Sequence, residues 1–171
     1  AMVTPTYEQI ASWLDGYFQA VAAYQGRPET VVQLRDYFAA DLEFRMYTAV
    51  GSEFMSAPLG REQLLVSFVH PGLVETITPK YYVIDVQQMK AVVQFAIVFR
   101  DEQSGKEWPQ KQASAHYHLR SDASSDAPGG LQIAKILYWT ELFTQEFKPM
   151  FEQWERGRAE ALAGLGGDYF K

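Results

Sequence analysis

The sequence predicts an α+β domain with helices on one face of a largely antiparallel sheet. Three observations carry that prediction. Helical periodicity fills most of the first 80 residues. Four long segments after Lys80 are rich in Val, Ile, Tyr and Phe, the residue types enriched in strands. One of those four segments is apolar on both sides, as a strand covered on both faces must be.

The opening helix is the clearest element. Ile10, Trp13, Leu14, Tyr17, Phe18 and Val21 recur at helical spacing and form one wide aromatic stripe. Thr6 and Gln9 read as a capping box, and Gly26 with Pro28 stops the helix. A second, shorter helix is expected over 28–39, with Val31, Leu34 and Phe38 on one side. Residues 41–47 then alternate: Leu42, Phe44 and Met46 face one way, Glu43, Arg45 and Tyr47 the other. Gly51, Ser52, Ser56 and Pro58 mark 49–59 as a loop. A third helix over 61–69 buries Leu64, Leu65 and Phe68 and ends at His70-Pro71-Gly72. Strands follow at 81–87, 90–100, 107–120 and 131–141. Ser104-Gly105 turns between the second and third of them, and the small polar loop 121–130 joins the last two. A final helix starts near Pro149 with Phe151 and Trp154 inward, and Gly164, Gly166 and Gly167 loosen the tail.

Composition bounds the function. At 171 residues the chain is one domain, with a core near 6–143 and a C-terminal helix and flexible tail over 144–171. Hydrophobic residues make up 47%, enough for a packed core without staples. There is no cysteine, which excludes disulfides, thiolate zinc sites and cysteine nucleophiles. Fifteen basic residues against 21 acidic ones argue against general nucleic-acid binding, which needs clustered Lys and Arg. The longest apolar stretch, 91–99, is broken by Gln94 and is far short of a membrane span. Ala1 to Pro5 show no basic start and no apolar leader, so the expectation is a soluble cytoplasmic protein. Neither a G-x-G-x-x-G, a P-loop nor a G-x-S-x-G elbow is present. In the segment apolar on both sides, Met89, Ala91, Val93, Phe95, Ile97 and Phe99 share one face while Val92, Ala96 and Val98 occupy the other. The helices cover one face, and a second copy of the chain is expected to cover the other, giving a homodimer through the sheet.

This layout resembles the NTF2-like superfamily, and within it the SnoaL-like, polyketide-cyclase-like proteins. The features that carry the resemblance are the aromatic first helix with Trp13, Tyr17 and Phe18, and the run from Tyr37 through Phe38-Ala39-Ala40-Asp41-Leu42-Glu43-Phe44 into the first strand. With them go Gly60-Arg61-Glu62-Gln63-Leu64-Leu65 at the third helix and the strand over 133–141, which ends in an aromatic and an acid. The match spans roughly 6–143. It implies a cone: a curved, mostly antiparallel sheet packed on three N-terminal helices, with a C-terminal helix added and a pocket at the open end. Family members include isomerases, cyclases, dehydratases and epoxide hydrolases, and others bind ligands or assemble without chemistry. Catalytic members place a His or an acid on the inner face of the later strands. This chain departs by carrying Glu141 where Asp is common and Lys135 in mid-strand.

The residues themselves offer candidates. His116 and His118 lie two apart in a strand, so both leave one face with Ser114 and Arg120. Three readings stand: a base with its orienting partner, a metal pair, or a polar face that meets water. No definite third ligand accompanies them, so no metal is assigned. Asp85, beside Tyr81 and Val83, is either a carboxylate raised by apolar neighbours or a strand-end aspartate at the rim. Glu141 shares a strand face with Leu137 and Trp139 and would orient a histidine if it pointed inward. Trp13, Tyr17, Tyr47, Tyr82, Tyr138 and Trp139 either line a pocket for a flat ligand or pack the core. The expected function is binding of an apolar, partly oxygenated small molecule. Any chemistry would be cofactor-free proton transfer: isomerisation, cyclisation or dehydration with a His base. The alternative is a non-catalytic dimeric binding or assembly module.

Overall fold

Thr6 and Gln9 close the start of the first helix by trading hydrogen bonds. In the computed structural model, which describes residues 4–24, 26–47, 49–50, 53–54, 58–122 and 126–171, Thr6 N–H donates to Gln9 Oε1 at 2.9 Å. Gln9 N–H donates back to Thr6 Oγ1 at 3.2 Å. The helix, α1, spans Tyr7–Tyr24. It buries Ile10, Leu14, Tyr17 and Phe18, each contributing roughly 1.5–3 kcal/mol of burial. Gly26 stops it at φ +72°, where a side chain is strained. An added Cβ there would also sit 2.4 Å from the His70 ring.

The second helix is shorter than the expected 28–39. α2 covers Pro28–Val31 and tightens into a 3-10 turn over Val32–Tyr37. The first strand, β1, takes over at Phe38 and runs through Phe38–Tyr47. Pairing with the last strand overrides local helix preference, because Phe38 lies opposite Ile133. Within the expected loop 49–59, β2 (Ala49–Val50) pairs with β3 (Glu53–Phe54), and Leu59 exchanges backbone bonds with Phe44 at 2.9 Å each way. Gly51, Ser52 and Ser56 of that loop lie outside the described residues, as do Ala123, Ser124 and Ser125 of the loop 121–130. α3 spans Arg61–Ser67, opened by Gly60 N–H donating to Gln63 Oε1 at 2.9 Å.

The remaining strands are β4 (Leu73–Asp85), β5 (Lys90–Asp101), β6 (Lys111–Ser121) and β7 (Leu131–Thr140). β4 begins at Leu73, well before the expected 81. The five long strands form one sheet in the order β1-β7-β6-β5-β4, antiparallel except for the β1–β7 pair. Register breaks in β1, β4 and β6 bend it into an unclosed curve around α1, so the fold is the expected α+β cone. Along β5, Ala91, Val93, Phe95, Ile97 and Phe99 are buried on the concave side, with Phe95 5.9 Å from the Phe18 ring. Val92, Gln94 and Val98 face out and are half-buried.

α4 spans Lys148–Leu162 and buries Met150. Its Trp154 ring sits 4.6 Å from His70 and 5.6 Å from Phe99. The chain after α4 returns to the body: Phe170 is buried, and Arg35 donates to the Lys171 carbonyl. Among the described residues no helix is long and apolar enough to cross a membrane.

Candidate functional site

The sheet sorts the expected site residues by face. On β6, Ala113, Ala115, Tyr117 and Leu119 are buried inside the cone, while Ser114, His116 and His118 are half-buried on the convex outer face. The two histidines therefore share a face, as their spacing requires, but it is the face turned away from α1. The His116 ring lies 4.8 Å from Trp139, and Trp139 stacks on Tyr47 at 4.9 Å. The tendency of His118 to hold a proton is lowered by partial burial, then by Lys90, Lys135 and His116.

Asp85 is exposed at the outer end of β4. Its Oδ1 accepts the Gln88 backbone N–H at 2.9 Å and its Oδ2 the Gln88 side-chain amide at 3.0 Å. It thus builds the β4–β5 turn at the rim. Glu141 is exposed just beyond β7, where its N–H donates to the Gln112 carbonyl, and it does not pair with either histidine. The aromatic candidates divide too. Tyr47 and Trp139 lie outside. Trp13, in the middle of α1, is held by its indole N–H donating to the Pro128 carbonyl at 2.7 Å. Tyr82 donates its hydroxyl to Asp15, and Tyr17 is buried.

What the concave side holds instead is a carboxyl among tyrosines. Glu75 sits on β4 between the inward Leu73 and Ile77. Burial alone pushes its carboxyl up to about 7. The Tyr17 hydroxyl is pushed up by burial, then by Glu75 and Tyr37. Tyr138 is raised by burial, then by Glu75. Tyr117 is raised by burial, then by Tyr17, Tyr138 and Tyr82. These groups lie within electrostatic reach of one another, and the Tyr17 and Tyr117 rings touch at 6.0 Å.

None of these four polar ends hydrogen-bonds another described residue. Yet the single sealed side-chain polar atom without a partner, among the described residues, is Trp154 Nε1. The Glu75 carboxyl and the three hydroxyls therefore border space that water can reach. Glu75 and Tyr138 lie deep in the protein and still keep some accessible surface. Glu75 also borders a cavity of about 10 Å³ with Tyr24, Phe68 and His70, room for one water. His70 is buried, and its Nδ1 lies 3.0 Å from the Leu73 carbonyl. A carbonyl only accepts, so Nδ1 carries the hydrogen. Burial lowers the proton affinity of the ring, which leaves neutral His70 with its lone pair on Nε2.

Sequence reasoning missed Glu75, Tyr117 and His70. A signal existed for Glu75: in Leu73-Val74-Glu75-Thr76-Ile77 the carboxylate takes the apolar position of an alternating strand. Tyr117 likewise is the one bulky polar-tipped residue in a run of alanines at 113 and 115.

No family model matches the sequence, and no curated protein sequence matches it. Solved structures do match its fold. BvnE pinacolase from Penicillium brevicompactum shares 12% identity at TM-score 0.56, covering 91% of this chain and 97% of its own. A protein assigned as a SnoaL-like polyketide cyclase from Jannaschia sp. CCS1 shares 13% at TM-score 0.55, covering 82% and 91%. A Xanthomonas campestris protein assigned as a calcium/calmodulin dependent protein kinase II association domain shares 17% at TM-score 0.55, again covering 82% and 91%. The fold is the NTF2-like cone shared by SnoaL-like polyketide cyclases and their structural relatives. These identities establish fold and leave the chemistry to the site.

Proposed function

We propose that this chain binds an apolar, partly oxygenated small molecule inside the cone and shifts a proton on it, with Glu75 as the acid–base group. One observation carries the reading: a buried carboxyl raised to about 7, facing tyrosine hydroxyls rather than a cation. A group titrating there exchanges protons readily at neutral pH. The raised hydroxyls of Tyr17 and Tyr138 stay protonated and serve as hydrogen-bond donors.

On an enolisable ketone the step balances without a further reactant. The Glu75 carboxylate takes a proton from the carbon next to the carbonyl, and the bonding pair moves to the carbonyl oxygen. The enolate accepts hydrogen bonds from Tyr17 and Tyr138, and Glu75 returns the proton to the same carbon or, on an unsaturated ketone, to the far end of the extended dienolate. The likeness to a pinacolase and to a SnoaL-like cyclase fits small-molecule chemistry on this scaffold. The histidine base expected on β6 moves out of this proposal, because His116 and His118 lie on the other side of the sheet.

A second reading has its own observation. The cone is filled largely by its own aromatic rings, and the cavity at Glu75 is about 10 Å³, against the roughly 300 Å³ or more of a typical ligand site. That favours a non-catalytic assembly module, and one structural relative is assigned as an association domain.

Deuterium exchange separates the two. The first probe is 2-tetralone in deuterated buffer, followed by proton NMR, within a panel of enolisable aryl ketones. The expected result is catalysed exchange with a midpoint near pH 7, lost in Glu75→Gln and kept in a double His116→Ala, His118→Ala variant. Exchange that survives Glu75→Gln would remove Glu75 from the reaction. No exchange across the panel, with no compound retained in native mass spectra, would leave the assembly reading standing.

A further inference from the structure

The small cavity beside Glu75 has a second polar wall. His70 lines it together with Tyr24, Gly26 and Phe68, and its volume of about 10 Å³ suits one water. We infer that His70 Nε2 anchors one water in this cavity, and that this water hydrogen-bonds the Glu75 carboxyl and fixes its orientation. His70 is then a positioning residue that acts through Glu75. The assignment rests on the reading of Glu75 as the acid–base group.

The imidazole has little freedom. The His70 backbone N–H donates to the Gly26 carbonyl at 2.9 Å. Its Nδ1–H is spent on the Leu73 carbonyl at 3.0 Å, two residues before Glu75 on the same strand. Gly26 lies so close to the ring that only a residue without a side chain fits there. Trp154 stands edge-on to it, with ring centres 4.6 Å apart.

With Nδ1 committed, Nε2 carries the lone pair and can only accept. Nε2 has no partner among the described residues. It is not sealed either, because the one sealed and unpaired side-chain polar atom among those residues is Trp154 Nε1. Nε2 therefore touches space that water reaches, and the cavity His70 lines is the one it shares with Glu75.

Hydrogen bonding closes in both charge states of the carboxyl. A pure acceptor at Nε2 obliges the water to donate one hydrogen to it. The second hydrogen goes to Glu75 when the carboxyl is ionised. When Glu75 is protonated, its O–H donates to the water oxygen instead. One carboxyl oxygen is thus tied to the water, and the other is left for the substrate. Donation to the carboxylate favours its charged form and opposes the burial that raises Glu75. The other titratable groups near Glu75 are hydroxyls: Tyr17 and Tyr24 on α1 and Tyr138 on β7, with Tyr37 and Tyr117 beyond Tyr17. β5 faces it with Phe99. None of these supplies a positive charge, so the water is the group that steadies the carboxylate.

A histidine that only ties the turn before β4 needs its Nδ1–H and nothing at Nε2. Two substitutions separate the roles. His70→Asn keeps an N–H for Leu73 and loses the acceptor in the cavity. His70→Gln puts an acceptor where Nε2 stood. Carboxyl carbon-13 NMR of glutamate-labelled protein reads the Glu75 midpoint directly, with the resonance identified by its loss in Glu75→Gln. The midpoint near 7 should rise by about 0.5 pH unit or more in His70→Asn and stay in place in His70→Gln. Nitrogen-15 NMR of the unsubstituted protein needs no folded variant at position 70. The His70 Nε2 signal should show a small step at the Glu75 midpoint while the ring stays neutral, and Glu75→Gln should erase it. An unmoved or lowered midpoint in His70→Asn, or an Nε2 signal without that step, would overturn the link. Both NMR results standing while no ketone exchanges would remove the proposed reaction and leave the link intact. Ketone exchange that depends on Glu75, with neither NMR result, would do the reverse.

Discussion

One strand shows two kinds of surface. On β6 the residues turned inward are Ala113, Ala115, Tyr117 and Leu119, and those turned outward are Ser114, His116, His118 and Arg120. The outward set looks more chemical by residue type, yet it is the inward set that borders an enclosed, low-dielectric space. His118 outside is lowered by partial burial and then by Lys90, Lys135 and His116, while Glu75 inside is lifted to about 7 by burial alone. The difference teaches that residue identity nominates a group, whereas the face it occupies decides whether its proton affinity is reshaped.

The largest effect should separate the two faces in stability. Phe95→Ala empties a fully packed inner site and should cost about 3–5 kcal/mol. Val92→Ala removes two half-buried methyls from the outer face of the same strand and should cost about 1 kcal/mol or less. Urea melts at two protein concentrations make the comparison. A docked outer face would make the Val92→Ala loss depend on concentration, and the Phe95→Ala loss far less so. Equal costs for the two variants would mean that the inner and outer faces are equally packed.

The next effect is in pH. In the unfolded chain the Glu75 carboxyl titrates near its ordinary 4.5, and in the folded chain near 7. Between those values the native state holds the extra proton, so stability falls as pH rises from about 4.5 to about 7 and then levels off. The full loss is of order 3 kcal/mol, at about 1.4 kcal/mol per pH unit. Glu75→Gln should abolish this slope and be the more stable protein at pH 8. Thermal melts of both proteins from pH 4.5 to 8 test it, and parallel curves would show that Glu75 is not held neutral.

Much of the fold was legible because its signals are local. The α1 stripe, the Thr6–Gln9 cap and the two-sided apolarity of β5 all follow from spacing. Two boundaries were hidden, for different reasons. The helix expected to 39 gives way to β1 at Phe38 because a partner nearly a hundred residues away pairs with it. The first half of β4 was hidden by Glu75 and Pro79, which interrupt its alternation. Glu75 breaks the pattern because it is inside, and Pro79 is tolerated because β4 is an edge strand beside a register shift. The site was hidden by the same residue that defines it, since a strand search scores an inward carboxylate as a defect. Which face of β6 looks inward depends on where α1 docks, and no spacing within β6 reports that.

The smallest effect belongs to Asp85. Its carboxylate is turned from the cone and spent on the β4–β5 turn, holding both the backbone and the side chain of Gln88. Asp85→Ala should therefore cost only about 0.5–1.5 kcal/mol, the worth of a solvent-exposed turn hydrogen bond. It should leave ketone exchange at its original rate and pH midpoint. Asp85→Asn keeps an acceptor for the Gln88 N–H and should restore most of the lost stability, which a catalytic carboxylate would not permit for activity. A fall in exchange rate in both variants, with melting temperatures unchanged, would bring Asp85 back as a working acid and would mean that chemistry takes place on the convex face after all.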